Sequence, residues 1–278
     1  MCGITGFIDF KGASSEQELE EMTHSLEHRG PDGFGTSILG TSEYKIGLGH
    51  RRLSILELSE LGKQPMEWNE FTIVFNGEIY NFAEIKTELE KLGHSFRAES
   101  DTELILHAYG EWGVACLERF IGMFSFVIYD SLNETVFIAR DRAGVKPLFT
   151  YFKDGLFLFA SELKAFHKHP DFEKKINPQA LQAYLQYGSV PTPHCIFEHC
   201  SKLPPGHYLF TSLKAFHPVP VQYWNVYDYY NKPKLTLTPE EAKQETEHLL
   251  KSACEYRMVS DVPVGIFLSG GYDSTCVT

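Results

Sequence analysis

The chain has 278 residues, enough for roughly two domains and for a full hydrophobic core. Hydrophobic residues make up 43% of the sequence and charged residues 22%, which is typical of a folded globular protein and excludes a disordered one. The formal net charge is -12, and no cluster of Lys and Arg could neutralise a phosphate backbone, so a nucleic-acid partner is not expected.

The ends and the cysteines of the chain indicate its compartment. The N-terminus has no apolar signal core, and no run approaches the ~18 apolar residues of a membrane span, so we expect a cytoplasmic protein with no membrane partner. Six cysteines are too few for a disulfide framework in a chain of this length, and we expect them to be reduced. The pairs His194-Cys195 and His199-Cys200 match no zinc spacing.

The predicted elements begin with a buried strand over 4–8, which is apolar on both faces. Ser14 and Gln17 resemble a capping box that starts an amphipathic helix ending at Gly30. Strands are predicted next at 45–50, 72–75, 123–129, 135–139 and 156–160, with helices at 83–92 and 102–112. Strands in runs with grouped helices favour an α+β fold with antiparallel sheets.

The sequence changes character after residue 212. Prolines and clustered aromatic residues over 213–237 are typical of a connector, so we place a first domain at 2–212 and a second at 238–278. Thr238 caps a predicted helix that runs to about Met258. A short apolar strand is predicted at 264–268, and we expect the second domain to be cut off soon after it.

A glycine-rich loop, Ser269-Gly270-Gly271-Tyr272-Asp273-Ser274, follows this strand and precedes a helix. Such an arrangement directs backbone N–H groups and a helix N-terminus at a phosphate. The serine hydroxyls could donate hydrogen bonds, and Asp273 could hold a magnesium ion. The Gly-Lys-Ser/Thr ending of a Walker motif is missing, and the alternative is a plain glycine turn before a helix.

Cys2 follows the initiator Met1, and removal of Met1 would leave a thiol and a free α-amine on one residue. A cysteine thiol has a pKa near ~8.5 and an α-amine near ~7.7 to 8.0, so the amine could accept the thiol proton at neutral pH. Cys2 is therefore a candidate nucleophile that carries its own base. A second-position cysteine can also arise by chance, so other motifs must support this hypothesis.

Further polar motifs follow Cys2 at the ends of predicted elements, where binding residues concentrate. In chain order they are His28-Arg29-Gly30-Pro31-Asp32-Gly33, His50-Arg51-Arg52-Leu53-Ser54-Ile55, Asn76-Gly77-Glu78-Ile79-Tyr80-Asn81, Ser100-Asp101-Thr102-Glu103, Ala139-Arg140-Asp141-Arg142-Ala143-Gly144-Val145-Lys146-Pro147-Leu148, Ala160-Ser161-Glu162-Leu163-Lys164-Ala165 and Lys202-Leu203-Pro204-Pro205-Gly206-His207. With Cys2 and the glycine-rich loop, this series resembles the glutamine-dependent asparagine synthetase family over nearly the whole chain.

The resemblance implies a four-layer αββα N-terminal-nucleophile hydrolase sandwich, followed by the start of an α/β nucleotide-binding domain of the PP-loop type. It implies that Cys2 attacks the side-chain amide of glutamine and releases ammonia from a thioester intermediate. Asn76 and the Gly77 N–H would form the oxyanion hole. No cofactor is expected for this glutaminase half.

The resemblance also implies how glutamine is bound. Arg52 would hold the α-carboxylate through a bidentate contact, and Asp101 would bind the α-ammonium. Glu78, with the backbone of Ile55 and Leu56, would complete the pocket. Because both the free acid and the free amine are recognised, peptide amides would be rejected.

In the second domain the resemblance implies an ATP site at Leu268, Ser269, Gly270, Gly271, Asp273 and Ser274, with Mg²⁺ on Asp273. Aspartate would be activated as its adenylate, and ammonia would displace AMP after a dry passage between the two sites. The implied partners are glutamine, aspartate and ATP, with a homodimer possible.

Two departures and two alternatives stay open. Tyr272 stands where many members carry leucine, and the sequence ends before an aspartate pocket, so this chain alone is expected to hydrolyse glutamine without making asparagine. One alternative is an amidotransferase of the same architecture that acts on a sugar acid or an antibiotic precursor. The other is an inactive binding or regulatory module, which the presence of Cys2, Arg52, Asn76 and Asp101 disfavours. Other class II glutaminases are disfavoured by the 269–274 loop.

Overall fold

The computed structural model describes all 278 residues and contains twelve strands and eight α-helices. The strands are β1 Gly3–Asp9, β2 Gly33–Gly40, β3 Lys45–Arg52, β4 Met66–Trp68, β5 Phe71–Ile79, β6 Gly122–Asp130, β7 Thr135–Arg140, β8 Phe149–Lys153, β9 Leu156–Ala160, β10 Cys200–Lys202, β11 His207–Ser212 and β12 Val221–Gln222. The helices are α1 Glu16–His24, α2 Phe82–Lys91, α3 Asp101–Trp112, α4 Cys116–Arg119, α5 Pro178–Tyr187, α6 Val226–Tyr230, α7 Pro239–Tyr256 and α8 Tyr272–Val277.

The strands form two six-stranded sheets in which every pairing is antiparallel. The first sheet has the order β10-β8-β9-β1-β3-β2, and the second has the order β12-β11-β7-β6-β5-β4. The N-terminal strand β1 lies between β9 and β3 in the interior of the first sheet. The residue that precedes β1 is therefore held by a strand with neighbours on both sides.

Three hydrophobic clusters separate four layers. Ile4 and Ile8 of β1 pack against Val74 of β5 between the two sheets. Phe7 points to the opposite face and packs with α1, since successive side chains of a strand alternate. On the outer face of the second sheet, Phe75 packs in a cluster that contains residues of α2 and α3. The predicted αββα sandwich is confirmed.

The predicted strands and helices of the first domain are confirmed with small shifts of their bounds, except for the first helix, which was predicted to end at Gly30 but ends at His24 and is followed by a 3₁₀ turn at Glu27–Arg29. The largest shift among the strands is in β5, which was predicted over 72–75 but continues to Ile79 because Asn76, Gly77 and Glu78 stay paired with β6. The apolar alternation ends at Phe75, so the sequence pattern alone ended the strand too early. The extension places three polar motif residues within a strand instead of after its end.

The predicted capping box of α1 is wrong by one residue. Ser15 and Glu18 form it, not Ser14 and Gln17. Both serines are followed three residues later by Glu or Gln, so the local signal does not separate the two registers. A tertiary contact decides, because Ser14 is buried and donates its N–H and its hydroxyl to the carboxylate of Asp9, at 2.7 and 2.8 Å.

In the C-terminal part, α7 begins at a Thr238 capping box and confirms the predicted helix. The predicted strand at 264–268 is wrong, since these residues form no ladder and Phe267 is 98% exposed. An apolar strand of a parallel sheet needs neighbours for its backbone groups, and no strand of this chain lies beside it. None of the helices combines the length and the apolar character that crossing a bilayer requires.

Candidate active site

Cys2 lies directly before β1, and its backbone and side chain are both held in place. The Arg29 Nε donates to the Cys2 carbonyl at 2.9 Å, while the Arg29 Nη1 donates to Glu162 at 3.0 Å. The Cys2 Sγ accepts from the N–H of Leu53 at 3.4 Å and donates to the Leu53 carbonyl at 3.6 Å. The expectation of an anchored N-terminus is met.

One pocket brings together all the glutaminase residues that the sequence singled out. Its lining includes Cys2, Arg52, Ile55, Leu56, Asn76, Gly77, Glu78 and Asp101. These residues come from the start of β1, the end of β3 with the loop after it, β5, and the first turn of α3. The pocket therefore lies where the two sheets meet at one end. Across the sheets, the buried His50 donates its Nε2–H to the Phe75 carbonyl at 3.1 Å.

The side chain of Asn76 is the clearest sign that this pocket takes a ligand. Asn76 is 1% exposed, yet neither its Nδ2 nor its Oδ1 has a hydrogen-bond partner. A buried polar group left without a partner costs about 1–3 kcal/mol, so such groups call for an explanation. A ligand oxygen that accepts from Nδ2 would satisfy it.

Gly77 allows β6 to approach closely behind the pocket. A Cβ at this position would lie 2.2 Å from the Met123 carbonyl oxygen and 2.7 Å from the Phe124 Cα. Both atoms belong to the backbone, so they could not move aside without breaking the strand pairing. Any side chain at position 77 would therefore displace the wall that carries Asn76.

Arg52 supports the loop that closes the pocket. Its Nη1 donates to the Ser59 carbonyl at 2.9 Å, and its Nη2 donates to the Glu57 carbonyl. A guanidinium has five N–H donors, so these two contacts leave donors for a ligand carboxylate. The group is fixed by the loop before any substrate arrives, which lowers the entropic cost of a bidentate contact.

Asp261, beyond α7, holds the same loop from the other side. Its carboxylate accepts from the N–H of Glu57 at 2.8 Å, and its own N–H donates to the Ile55 carbonyl at 3.1 Å. Glu57 has a positive φ of 51°, which is uncommon for a residue with a side chain. The C-terminal part of the chain thus contacts the loop that carries Ile55 and Leu56.

Asp101 is buried and has an unusual proton affinity. Burial raises the pKa of its carboxyl from 3.8 to about 7, and the negative charge of Glu78 acts in the same direction. The N–H of Ile79, which donates to Asp101 at 3.4 Å, offsets part of this effect. Burial also raises the pKa of Glu78. Two facing acids favour a cationic ligand group between them.

We expect the KM for glutamine to rise as the pH falls through about 7. Below the raised pKa of Asp101 the carboxyl holds its proton, so it no longer attracts an α-ammonium group. The rise should approach tenfold per pH unit on the acid side, an upper bound for one titrating group. Initial rates from pH 5.5 to 8.5 measure it. Asp101→Asn should remove the dependence, and an unchanged slope in that variant would assign the titration to another group.

The structure also shows roles that the sequence did not assign. Three residues with such roles lay in recognised motifs: Arg29, Glu162 and Lys146. Nothing in the sequence indicated that Arg29 holds the Cys2 carbonyl or that Lys146 lines the pocket. Gln64 lay in no motif; its Oε1 accepts from the N–H of Phe75 at 2.6 Å and fixes the strand that carries Asn76. Such contacts between residues far apart in sequence leave no local signal.

The glycine-rich loop lies outside this pocket and is exposed. The Ser269 and Ser274 hydroxyls are 3.0 Å apart, and Gly270 adopts a positive φ of 79° with open space around it. The first turn of α8 has no side-chain cap, so its N–H groups are free to bind an anion. No group of three or more His, Cys, Asp or Glu side chains is arranged to hold a metal ion, which leaves Asp273 as a single carboxylate.

The fold and the pocket define a class II glutamine amidotransferase of the N-terminal-nucleophile hydrolase type. Residues 1–224 match the family model described as a glutamine amidotransferase domain, and the chain belongs to this family. Residues 245–278 match the asparagine synthase model, which confirms the resemblance to glutamine-dependent asparagine synthetases.

Curated relatives agree with this assignment. The chain is 40% identical to a putative glutamine-hydrolyzing asparagine synthetase of Methanocaldococcus jannaschii, covering all of this chain and 56% of the relative. It is 38% identical to asparagine synthetase 3 of Bacillus subtilis, covering all of this chain and 45% of that protein. The chain thus spans about half the length of the curated relatives it matches.

Solved structures show the same fold at low sequence identity. The glutamine phosphoribosylpyrophosphate amidotransferase of B. subtilis, complexed with ADP and GMP, superposes with a TM-score of 0.58 at 18% identity, covering 95% of this chain and 59% of that one. The allosteric regulatory enzyme of purine biosynthesis gives 0.55 at 20% identity, covering 77% of this chain and 48% of that one. At these identities the likeness concerns the fold alone.

Proposed function

We propose that this chain hydrolyses free glutamine and supplies the ammonia to an ATP-dependent synthetase of the asparagine synthetase type. The observation that carries the proposal is the pairing, in one pocket, of the anchored Cys2 thiol with the buried, unpartnered amide of Asn76. A nucleophile beside an unused hydrogen-bond donor is the arrangement that acyl transfer requires.

The reaction follows from the groups around Cys2. Once Met1 is removed, the Cys2 α-amine accepts the thiol proton as Sγ attacks the side-chain amide carbon of glutamine. Asn76 Nδ2 and the Gly77 N–H then stabilise the tetrahedral oxyanion. The amine returns the proton to the leaving nitrogen, ammonia departs, and water hydrolyses the thioester to glutamate. Burial lowers the pKa of the terminal amine of Met1. After Met1 is removed, the Cys2 α-amine lies one residue further into the same pocket, where burial favours its neutral, basic form.

Selection for free glutamine rests on two side chains that bind the α-carboxylate and the α-ammonium, at the end of the substrate away from the reacting amide. Arg52 binds the α-carboxylate with the donors that its loop contacts leave free, and Asp101 binds the α-ammonium. A site built for both charges rejects an amide in a peptide because Arg52 and the buried Asp101 would lose their charged partners.

We expect Arg52→Ala to raise the KM for glutamine about 10- to 100-fold, the loss that a charge-assisted hydrogen bond of roughly 1.5–3 kcal/mol predicts. The alkylation rate of Cys2 should change little. Glutaminamide, which lacks the α-carboxylate, separates carboxylate binding from loop support: the variant should lose the preference for glutamine over glutaminamide.

The matched control for Arg52 is Asp261→Ala, which loosens the same loop without removing the guanidinium. It should affect glutamine and glutaminamide equally. If Arg52→Ala also lowers the rates for both substrates by the same factor, Arg52 supports the loop only.

For the second half, we propose that residues 268–274 bind ATP. The glycines and the free N–H groups of α8 fit a phosphate, the hydroxyls of Ser269 and Ser274 lie side by side, and Asp273 suits Mg²⁺, which takes one or two carboxylates with phosphate oxygens. ATP supplies the activation of a carboxylate as its adenylate, with aspartate as the proposed acceptor.

The test has two parts. The 278-residue chain should release ammonia and glutamate in equal amounts from glutamine without ATP, and failure to release either would reject the glutaminase proposal. A longer polypeptide containing this chain should form AMP from ATP when glutamine and aspartate are both present. AMP formation with a sugar acid instead of aspartate would establish the alternative acceptor class.

A further inference from the structure

Lys146 is a buried cation in the pocket to which the proposed mechanism gives no role. It follows β7 in the turn before β8, is 3% exposed, and lines the pocket together with Cys2 and Glu78. Its backbone is fixed, because its N–H donates to Asp141 at 3.0 Å and its carbonyl accepts from the Arg140 Nε at 2.7 Å. Its Nζ forms neither a hydrogen bond nor an ion pair.

The other charged groups near Cys2 are engaged elsewhere. Arg29 holds the Cys2 carbonyl and Glu162. Asp32 accepts from the N–H of Ser54 at 2.9 Å. Asp141 accepts from four backbone N–H groups, those of Phe124, Ala143, Val145 and Lys146. Asp101 accepts from the N–H of Ile79 at 3.4 Å. The charged groups near the thiol that make no hydrogen bond are therefore the ammonium of Lys146 and the carboxyl of Glu78.

The charge of Lys146 acts on two groups of Cys2, the side-chain thiol and the α-amine. A nearby cation favours the thiolate and opposes protonation of the α-amine, and water exclusion strengthens both effects. Burial raises the pKa of the Cys2 thiol, and Asp101 adds to the rise, while Lys146 opposes it. At the neighbouring Met1 amine, burial lowers the pKa, and the charges of Lys146 and Arg29 lower it further, while Cys2 and Asp32 raise it. The Cys2 α-amine, which becomes the terminal amine when Met1 is removed, is exposed to the same cations.

We propose that Lys146 is a positioning residue for the glutaminase reaction: its ammonium stabilises the Cys2 thiolate and keeps the adjacent α-amine unprotonated. The effect on catalysis rests on the proposed function. The effect of Lys146 on the charge state of Cys2 is a property of the protein without substrate, so it can be measured without turnover. A buried cation left without a partner costs stability, and a role in the chemistry gives that cost a reason.

The test compares Lys146→Met, which keeps the length of the side chain and removes its charge, with Lys146→Arg, which keeps the charge. Cys2 alkylation by iodoacetamide is followed by peptide mass spectrometry from pH 5.5 to 10. In Lys146→Met the midpoint should move about one pH unit upward, the size expected of one nearby charge. Lys146→Arg should recover most of the shift.

Turnover should follow the same pattern. At pH 7, Lys146→Met should lower kcat about tenfold with less than a twofold change in KM, and the deficit should shrink toward pH 9. The control is Lys153→Met on the exposed edge of β8, where the lysine pairs with Glu173 at 2.6 Å; it should match the wild type in both assays. Because Lys146 has no partner, Lys146→Met should also keep or raise the Tm.

Two results would overturn the inference. One is an alkylation midpoint that is the same in the wild type and in Lys146→Met. The other is a rise in KM with an unmoved midpoint, which would make Lys146 a substrate contact. If the wild type released no ammonia, the glutaminase proposal would fail while the alkylation profiles still decided the role of Lys146.

Discussion

Cys2→Ala should abolish ammonia release from glutamine, with a fall in kcat of at least about 10³-fold, because no other thiol lines the pocket. The fold should be intact, since the Cys2 carbonyl, which Arg29 holds, is kept in the variant. Ammonia release and circular dichroism measure the two effects.

Cys254→Ala on α7 is the matched control, since that cysteine lies outside the pocket and should be dispensable. Intact mass should show that active protein lacks Met1. Turnover in Cys2→Ala, or activity in material that retains Met1, would contradict the assignment of nucleophile and base to one residue.

Asn76→Ala should lower kcat about 10²- to 10³-fold and leave the KM for glutamine nearly unchanged, as expected for a donor that acts on the transition state. Stability should fall little, because the Asn76 amide makes no hydrogen bond in the free protein. Steady-state kinetics and thermal unfolding give both quantities.

Asn81, at the start of α2, is the matched control for Asn76, because its side-chain amide is hydrogen-bonded within the protein. Its amide donates to the Arg119 carbonyl at 2.9 Å and accepts from the N–H of Ile121 at 2.8 Å. Asn81→Ala should therefore cost about 1–3 kcal/mol of stability while the activity per folded molecule persists. If Asn76→Ala instead behaved like Asn81→Ala, the oxyanion role would be wrong.

The residue motifs supported the family assignment more strongly than the predicted strands and helices did. Every glutaminase residue singled out from the sequence lines a single pocket, because those motifs sit at the ends of elements that the fold brings together. Strand β2 was missed, since its glycines and polar residues at a sheet edge give no apolar alternation, and pairing with β3 makes it a strand. The domain bounds, the homodimer and the cytoplasmic location stay predictions.

The sequence by itself determined the family, the α+β class, the candidate nucleophile and the residues around it, because these depend on residue types that chemistry restricts. Only the tertiary structure decided how those residues are used: Arg52 and Asp261 fix one loop, Asp101 is buried beside Glu78, and the Lys146 ammonium has no partner beside Cys2. The physical reason is that burial and charge proximity join residues far apart in the chain, and no local pattern encodes them.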